Sequence, residues 1–163
     1  MKSISKSNAG DQLPKELKST KKAVEYSLSA KVSEFKKMKI TSSRDAHEYI
    51  RQFYNDDIHI FESVFILLLN RSNHTIGFAK ISQGGVSGTV VDVKIICKYA
   101  IDSLSCGVIM AHNHPSGNTL PSPQDKQISK KLKEALQWID IALLDSMIIT
   151  DQEYYSLADD GVI

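Results

Sequence analysis

Cysteine is scarce in this chain of 163 residues, which has only Cys97 and Cys106. The two do not form a Cys-x-x-Cys pair, which argues against a disulfide framework and a cysteine zinc knuckle, and two reduced core thiols are expected. Long apolar runs are missing as well. No stretch approaches the length needed to span a bilayer, and the first residues, Met1-Lys2-Ser3-Ile4-Ser5-Lys6, lack the apolar core of a signal peptide. A soluble, cytoplasmic protein with no membrane partner is the expectation. There is no internal repeat. Neither sign of charge dominates, because 20 basic residues face 19 acids for a net charge of +1.

That balance hides an asymmetry. Residues 1–40 hold ten lysines against four acids, a net of +6, which leaves ten basic residues against fifteen acids, or −5, for the remainder. The first twenty residues are polar and interrupted by Gly10 and Pro14, the composition of a leader without fixed structure. The sequence therefore divides into a lysine-rich, partly disordered segment over 1–40 and one domain over 41–163. Contact between the lysines and nucleic acid is the weaker reading of the same composition. The body is expected to carry no basic stripe, and its share of the 42% hydrophobic content is enough for a core without metal or disulfide staples.

Along the body, Ser42-Ser43 resembles an N-cap. Ala46, Tyr49, Ile50 and Phe53 follow at helical spacing, predicting a helix of about ten residues. Phe61 to Leu69 is a near-continuous apolar run with one acid, Glu62, the pattern of a strand buried on both faces. Asn70 to His74 is turn chemistry, and Thr75 to Ile81 reads as the returning strand of a hairpin. Gly84, Gly85 and Gly88 mark a bend. Val93, Ile96, Cys97, Ala100, Ile101 and Leu104 recur as one buried helical face. A short strand, Gly107 to Ala111, runs into His112-Asn113-His114-Pro115, where the proline ends further pairing. Ser122-Pro123-Gln124-Asp125 reads as N-cap, proline at the first helical position and reciprocal carboxylate, opening a helix that buries Ile128, Leu132, Ala135, Leu136 and Ile139. Ile141 to Leu144 and Met147 to Thr150 supply the last strand or strands.

Residues two apart in a strand project from one face, so His112 and His114 present two imidazoles together while Asn113 points away. Asp125, at the start of the next helix, keeps its charge near the helix dipole and can fold back onto them. Two histidines and one carboxylate leave a fourth position for water, the open donor set of a catalytic zinc, where a structural site would be closed. Glu62, a carboxylate at the most apolar strand, is the candidate general base toward such a water. Each part alone has a plainer reading. His-x-His pairs occur by chance on exposed strands, Ser122 and Asp125 alone form a capping box, and Glu62 alone is an exposed strand end. It is the joint pattern that points to chemistry. His47, His59 and His74 read as surface histidines.

Taken together, Glu62, then His112-x-His114, seven residues, Ser122, two residues and Asp125 resemble the metal motif of the JAB/JAMM (MPN) metalloprotease-like superfamily. His112 to Asn118, Pro121-Ser122, Gly84 to Asp92 and Tyr155 to Gly161 resemble its RadC-like branch, from about residue 40 to the end. The resemblance implies an α/β (α+β) fold, a mixed sheet flanked by helices, with JAB/MPN-like, cytidine-deaminase-like architecture. It implies one zinc per chain on His112, His114 and Asp125, Glu62 activating the water, and Ser122 stabilising the oxyanion of a tetrahedral intermediate during cleavage of a peptide or isopeptide-like substrate. Relatives tend to have His where this chain has Ser146, for which altered surroundings and retained metal are expected. Longer members carry an N-terminal helix-hairpin-helix-type region, which is not expected within a chain of this length.

Two other classes compete. A nucleic-acid-associated protein would use the lysine-rich head. The string His112-Asn113-His114 is not evidence for an HNH nuclease, whose three residues are spread over a ββα element. A non-catalytic scaffold of the superfamily would be expected to have lost ligands, and here all are retained. Oligomeric state is not specified, although apolar edge strands can pair between chains.

Overall fold

Ser63–Leu69 forms strand β1, and all seven of its residues are buried. That burial follows from its position. The sheet has the order β2-β1-β3-β4-β5, so β1 is flanked by strands on both edges and covered on both faces. The computed structural model describes residues 29–85 and 89–163, and most of the lysine-rich segment, 1–28, together with the glycine of the bend at 88, lies outside the described residues. Strand β2 is Thr75–Gln83, returning antiparallel through the Asn70 to His74 turn. Asn73 takes φ 58 there, a left-handed conformation that asparagine tolerates. β3 is Gly107–Asn113 and pairs antiparallel with β1. β4, Ala142–Ile149, runs parallel to β3, and β5, Tyr154–Ser156, closes the edge antiparallel to β4. The two segments expected before and after Asp145 are thus one strand, with a register shift opposite Val108 and Ile109.

Helices cover both faces of this mixed sheet, giving the α/β arrangement expected. On one face lie α1, Ser43–Ile50, and the 3₁₀ segment Arg51–Phe53. Ser42 caps α1 by accepting from the N–H of Asp45. Their apolar residues pack with Phe65, Leu67, Ile109, Ala111, Met147 and Ile149. α2, Val93–Asp102, and α3, Pro123–Gln137, cover the other face, packing on Val64, Ile66, Leu68, Val108 and Met110. α3 connects the parallel pair β3 and β4, so its first turn lies at the end where β3 finishes. In open α/β sheets that end is where ligands bind.

The compact unit begins at Val32, within the segment expected over 1–40. Lys36, Lys37 and Lys39 are exposed, while Phe35, Met38 and Ile40 pack on the aromatic core, so the lysines mask a segment anchored by its alternate residues. β1 starts at Ser63, leaving Phe61 and Glu62 just ahead of it. α2 buries Val93, Ile96 and Ala100; Ile101, within the helix, is 50% exposed, and Leu104, beyond its end at Asp102, is 84% exposed. The apolar spacing ran past the helix: Leu104 at φ 52 has already left the helical conformation. Among the described residues, no helix is long and apolar enough to cross a membrane.

Candidate metal centre and active site

β3 delivers the histidines. His112 is its penultimate residue and His114 lies just past its end, still held by an N–H···O bond of 3.1 Å to Ile149. Alternation sends both imidazoles to the α3 side. Asn113, between them, turns to the α1 side and is fully buried. Its Nδ2 donates to the carbonyls of Ile58 and Phe61 at 2.7 and 2.8 Å, and its Oδ1 accepts from Ser63 N–H at 2.7 Å. This amide ties the end of β3 to the entry of β1. Tyr54 reinforces the same junction, its buried hydroxyl lying 3.1 and 3.2 Å from the carbonyls of Ser63 and Ala111. Burial, with a smaller contribution from the charge of Glu62, pushes the Tyr54 pKa well above its ordinary value, so the phenol stays a donor.

The cap of α3 delivers the carboxylate. Ser122 Oγ accepts from Asp125 N–H at 3.2 Å, and Asp125 Oδ2 accepts from Ser122 N–H at 2.7 Å, a complete capping box with Pro123 at the first helical position. The Ser122 hydroxyl also donates to Asp125 Oδ2 at 2.6 Å. The cap therefore orients the carboxylate as well as starting the helix. Asp125 Oδ1 stands 3.2 Å from His112 Nε2, and its Oδ2 stands 3.7 Å from His114 Nε2. Burial by itself raises the Asp125 pKa. The hydrogen bond and charge of His112, followed by the Ser122 hydroxyl and N–H, outweigh it and hold the carboxyl well below the usual carboxylate range.

The three side chains fit a metal ion. Their donor atoms all lie within 4.8 Å of one another. The Nε2 atoms of His112 and His114 are 3.1 Å apart, and the nearest carboxylate oxygens, Oδ1 to His112 and Oδ2 to His114, stand 3.2 and 3.7 Å away. A tetrahedral zinc with bonds near 2.1 Å separates its ligands by about 3.4 Å, the middle of that range. His114 Nδ1 lies 2.6 Å from the carbonyl of Asn118, which fixes the proton on that nitrogen and leaves Nε2 as the donor toward the metal. Two imidazole nitrogens and an ionised carboxylate form the group among the described residues able to hold such an ion.

Glu62 reaches the same face by register. Val64 pairs with His112, so continuing the antiparallel ladder by two residues sets Glu62 across from His114, on the face of both histidines. Its backbone is held by bonds to Gly84 and Gly85 of 2.8 and 3.3 Å, which extend the pairing of β1 with β2. The half-buried Glu62 lines two clefts. One, of about 410 Å³, also has His114, Leu120, Pro121 and Ser122 in its wall. The other, of about 390 Å³, contains His112 and Asp125 and a wall of Val64, Val91, Met110 and Ile128. Glu62 and Ser122 thus share a cleft with one histidine, whereas His112 and Asp125 open onto the other.

A model of the RadC-like JAB domain matches residues 40–162. The chain belongs to that family. Among curated relatives, the UPF0758 protein of Flavobacterium johnsoniae is 44% identical over 124 residues, covering 76% of this chain and 53% of the relative. The UPF0758 protein of Porphyromonas gingivalis is 40% identical over 125 residues, 76% of this chain and 54% of its own. UPF0758 protein YfjY of Escherichia coli is 38% identical over 102 residues, covering 63% and 64%. The chain spans about half the length of the first two. The match to the RadC-like domain covers every residue of the candidate site, from Glu62 to Asp125.

Within this RadC-like domain, some contributors left little trace in the sequence. Tyr54, Asn113 and the carbonyl of Asn118 hold the site from behind; only Asn113 carried a signal, its place between two histidines. Ser146 is buried and lies 2.7 Å from the hydroxyl of Ser129, which in turn bonds the carbonyl of Asp125 at 2.7 Å. A pair of small hydroxyls therefore ties the main chain of α3 at Asp125 to β4. His59 and His74 are exposed, as expected. His47 is not a surface residue: it stacks on Tyr154 with centroids 4.6 Å apart, and its Nε2 is buried without a hydrogen-bond partner among the described residues. Its helical position is outward by spacing, but β5 folds over it. Burial, then the charge of Arg51, lowers its pKa, keeping it neutral. The body also carries a basic stripe that was not expected, the exposed Lys126, Lys130, Lys131 and Lys133 of α3.

Proposed function

We propose that this domain is a zinc-dependent hydrolase of amide bonds, a metallopeptidase or isopeptidase acting on a peptide or isopeptide-like substrate. The observation that carries the reading is the convergence of His112, His114 and Asp125 at tetrahedral spacing beside clefts that Glu62 lines. Three protein donors leave a fourth position to solvent or substrate, which distinguishes catalytic from structural sites. Zinc held by His112, His114 and Asp125 would supply Lewis acidity at that position. Glu62 serves as the base that takes the proton of the attacking water and delivers it to the departing amine. Ser122 holds the developing oxyanion once its hydroxyl turns from Asp125 Oδ2 toward the cleft; the two backbone bonds of the capping box keep α3 in place while it does so. The free thiols Cys97 and Cys106 suit a reducing, cytoplasmic compartment.

The test couples metal analysis to turnover. Protein from a zinc-replete preparation should carry about one zinc per chain, lost in His112→Ala and in Asp125→Ala. Glu62→Gln should keep the zinc and lose cleavage of a peptide library followed by mass spectrometry. Metal-free wild type, or equal cleavage by Glu62→Gln, would overturn the proposal. A second reading, a nucleic-acid-associated protein, draws on the +6 charge of residues 1–40. It requires salt-dependent DNA binding that disappears when residues 1–31 are removed, a truncation that spares the packed Phe35 and Met38.

A further inference from the structure

The cleft of about 390 Å³ beside His112 and Asp125 has an apolar floor and a charged far wall. Val64 of β1 and Met110 of β3 form the floor, and Val91 and Ile128 rise on either side. The α3 wall follows one helical face: Gln124, Gln127, Ile128 and Lys131 are spaced i, i+3, i+4 and i+7, and all line the cleft. Lys131 is exposed and has no salt bridge among the described residues. It lies six residues beyond Asp125, about 9 Å along the helix at 1.5 Å per residue.

From this arrangement we propose that the cleft is a substrate subsite that selects acidic polypeptides, seating an aliphatic residue next to the scissile bond and a carboxylate against Lys131. The proposal rests on the hydrolase reading above. An extended peptide advances about 3.3 Å per residue, so the span to Lys131 corresponds to the second or third residue from the reacting carbonyl. The amides of Gln124 and Gln127 each offer a donor and an acceptor to the backbone between. Lys126, Lys130 and Lys133 on the adjoining faces of α3 add positive potential that favours approach of an acidic chain. Among the described residues no aromatic side chain lines this cleft, which offers nucleic-acid bases no stacking platform there and favours a polypeptide as occupant.

Fluorescein-labelled peptides built on a central Val-Val test this directly, one with Glu and one with Lys at the second and third positions on both sides. Binding is read by anisotropy on zinc-loaded Glu62→Gln protein, in which the peptide is not consumed. The acidic peptide should bind about fivefold more tightly at low salt, the upper range for one exposed charge pair, and the preference should fade as salt is added. Adding K131E should reverse it. Equal affinity for the two peptides, or an acidic preference untouched by K131E, overturns the subsite. So does an oligodeoxynucleotide that displaces the acidic peptide at lower concentration than unlabelled peptide, which would assign the cleft to nucleic acid. Peptide cleavage by wild type separates the two claims. Cleavage with no charge preference removes the subsite and leaves the hydrolase; a Lys131-dependent preference with no cleavage by wild type removes the hydrolase and leaves a peptide-binding cleft.

Discussion

His112 and Asn113 are neighbours on one strand and could hardly be used more differently. Asn113, on the α1 side, has all three of its hydrogen bonds satisfied at 2.7 to 2.8 Å by backbone groups and no exposure to solvent. His112, on the α3 side, points its Nε2 at a second imidazole and a carboxylate instead of at the backbone. A side that closes its polar groups among themselves makes structure. A side that leaves donors converging on one another, beside a cleft, can bind an ion. The alternation of a strand puts these two outcomes one residue apart.

The sharpest way to break that comparison is to truncate both residues. His112→Ala should abolish zinc binding and turnover and, although His112 is buried, should destabilise the metal-free protein less than the Asn113 truncation does, because it leaves no backbone group without its hydrogen-bond partner. Asn113→Ala should destabilise the fold by about 3 kcal/mol or more, since it orphans the Ser63 N–H and the carbonyls of Ile58 and Phe61. The molecules that remain folded should still bind zinc. Stoichiometry and denaturant unfolding on both variants decide it, and zinc loss in Asn113→Ala without a change in stability would show that the two sides are not separable. Chelation offers a companion test: removing zinc should lower the melting temperature of wild type and leave that of His112→Ala unmoved, because only a protein that binds the ion gains stability from it.

A smaller effect probes the one residue that serves both structure and site. Ser122 caps α3 and touches the metal carboxylate through the same hydroxyl. Ser122→Ala should cost about 1 kcal/mol as a lost cap. If the hydroxyl also turns to hold an oxyanion, turnover should fall by roughly a hundredfold at unchanged zinc content. A stability loss accompanied by full turnover would confine Ser122 to the cap.

How much of this was legible follows from the same physics. The capping box, the His-x-His alternation and the buried run of β1 are local patterns, and periodicity and cap chemistry expose them without coordinates. Glu62 needed more. That it shares the histidine face depends on the register of β1 against β3, which is set by pairing of residues some 48 apart in sequence, Val64 with His112. Lys131 was legible only as one lysine among several until the helix face bearing it was seen to line a cleft. His47 misled for the opposite reason: its helix spacing is outward, and only the return of Tyr154 in β5 covers it. Leu104 misled because apolar spacing does not show where a helix stops.

Two aspartates, the half-buried Asp125 and the buried Asp145, provide the finest test of a closed side against an open one. Asp125 faces histidines and is held ionised. Asp145 lies two residues before Met147, whose side chain belongs to the α1-side core, and it accepts from Ser146 N–H at 2.7 Å, Ser156 Oγ at 2.6 Å and Ala158 N–H at 3.1 Å. Burial nevertheless dominates over those three donors and raises its pKa. Above the folded pKa, Asp145 is charged in both states and the folded state carries the cost of burying that charge. As pH falls through the folded pKa the native carboxyl takes up a proton first, and the relief is complete below the unfolded value of about 3.9. Asp145→Asn keeps an acceptor for the two backbone N–H groups and offers its amide to Ser156, whose hydroxyl can accept. It should therefore be at least as stable as wild type at neutral pH, by no more than about 1 kcal/mol, and the gap should close as the pH approaches 4. Urea unfolding of both proteins across that range isolates Asp145, because every other titrating group is common to the two. A gap that widens on acidification would mean that the three donors outweigh burial, and that this closed side holds its carboxylate charged much as His112 and Ser122 hold Asp125.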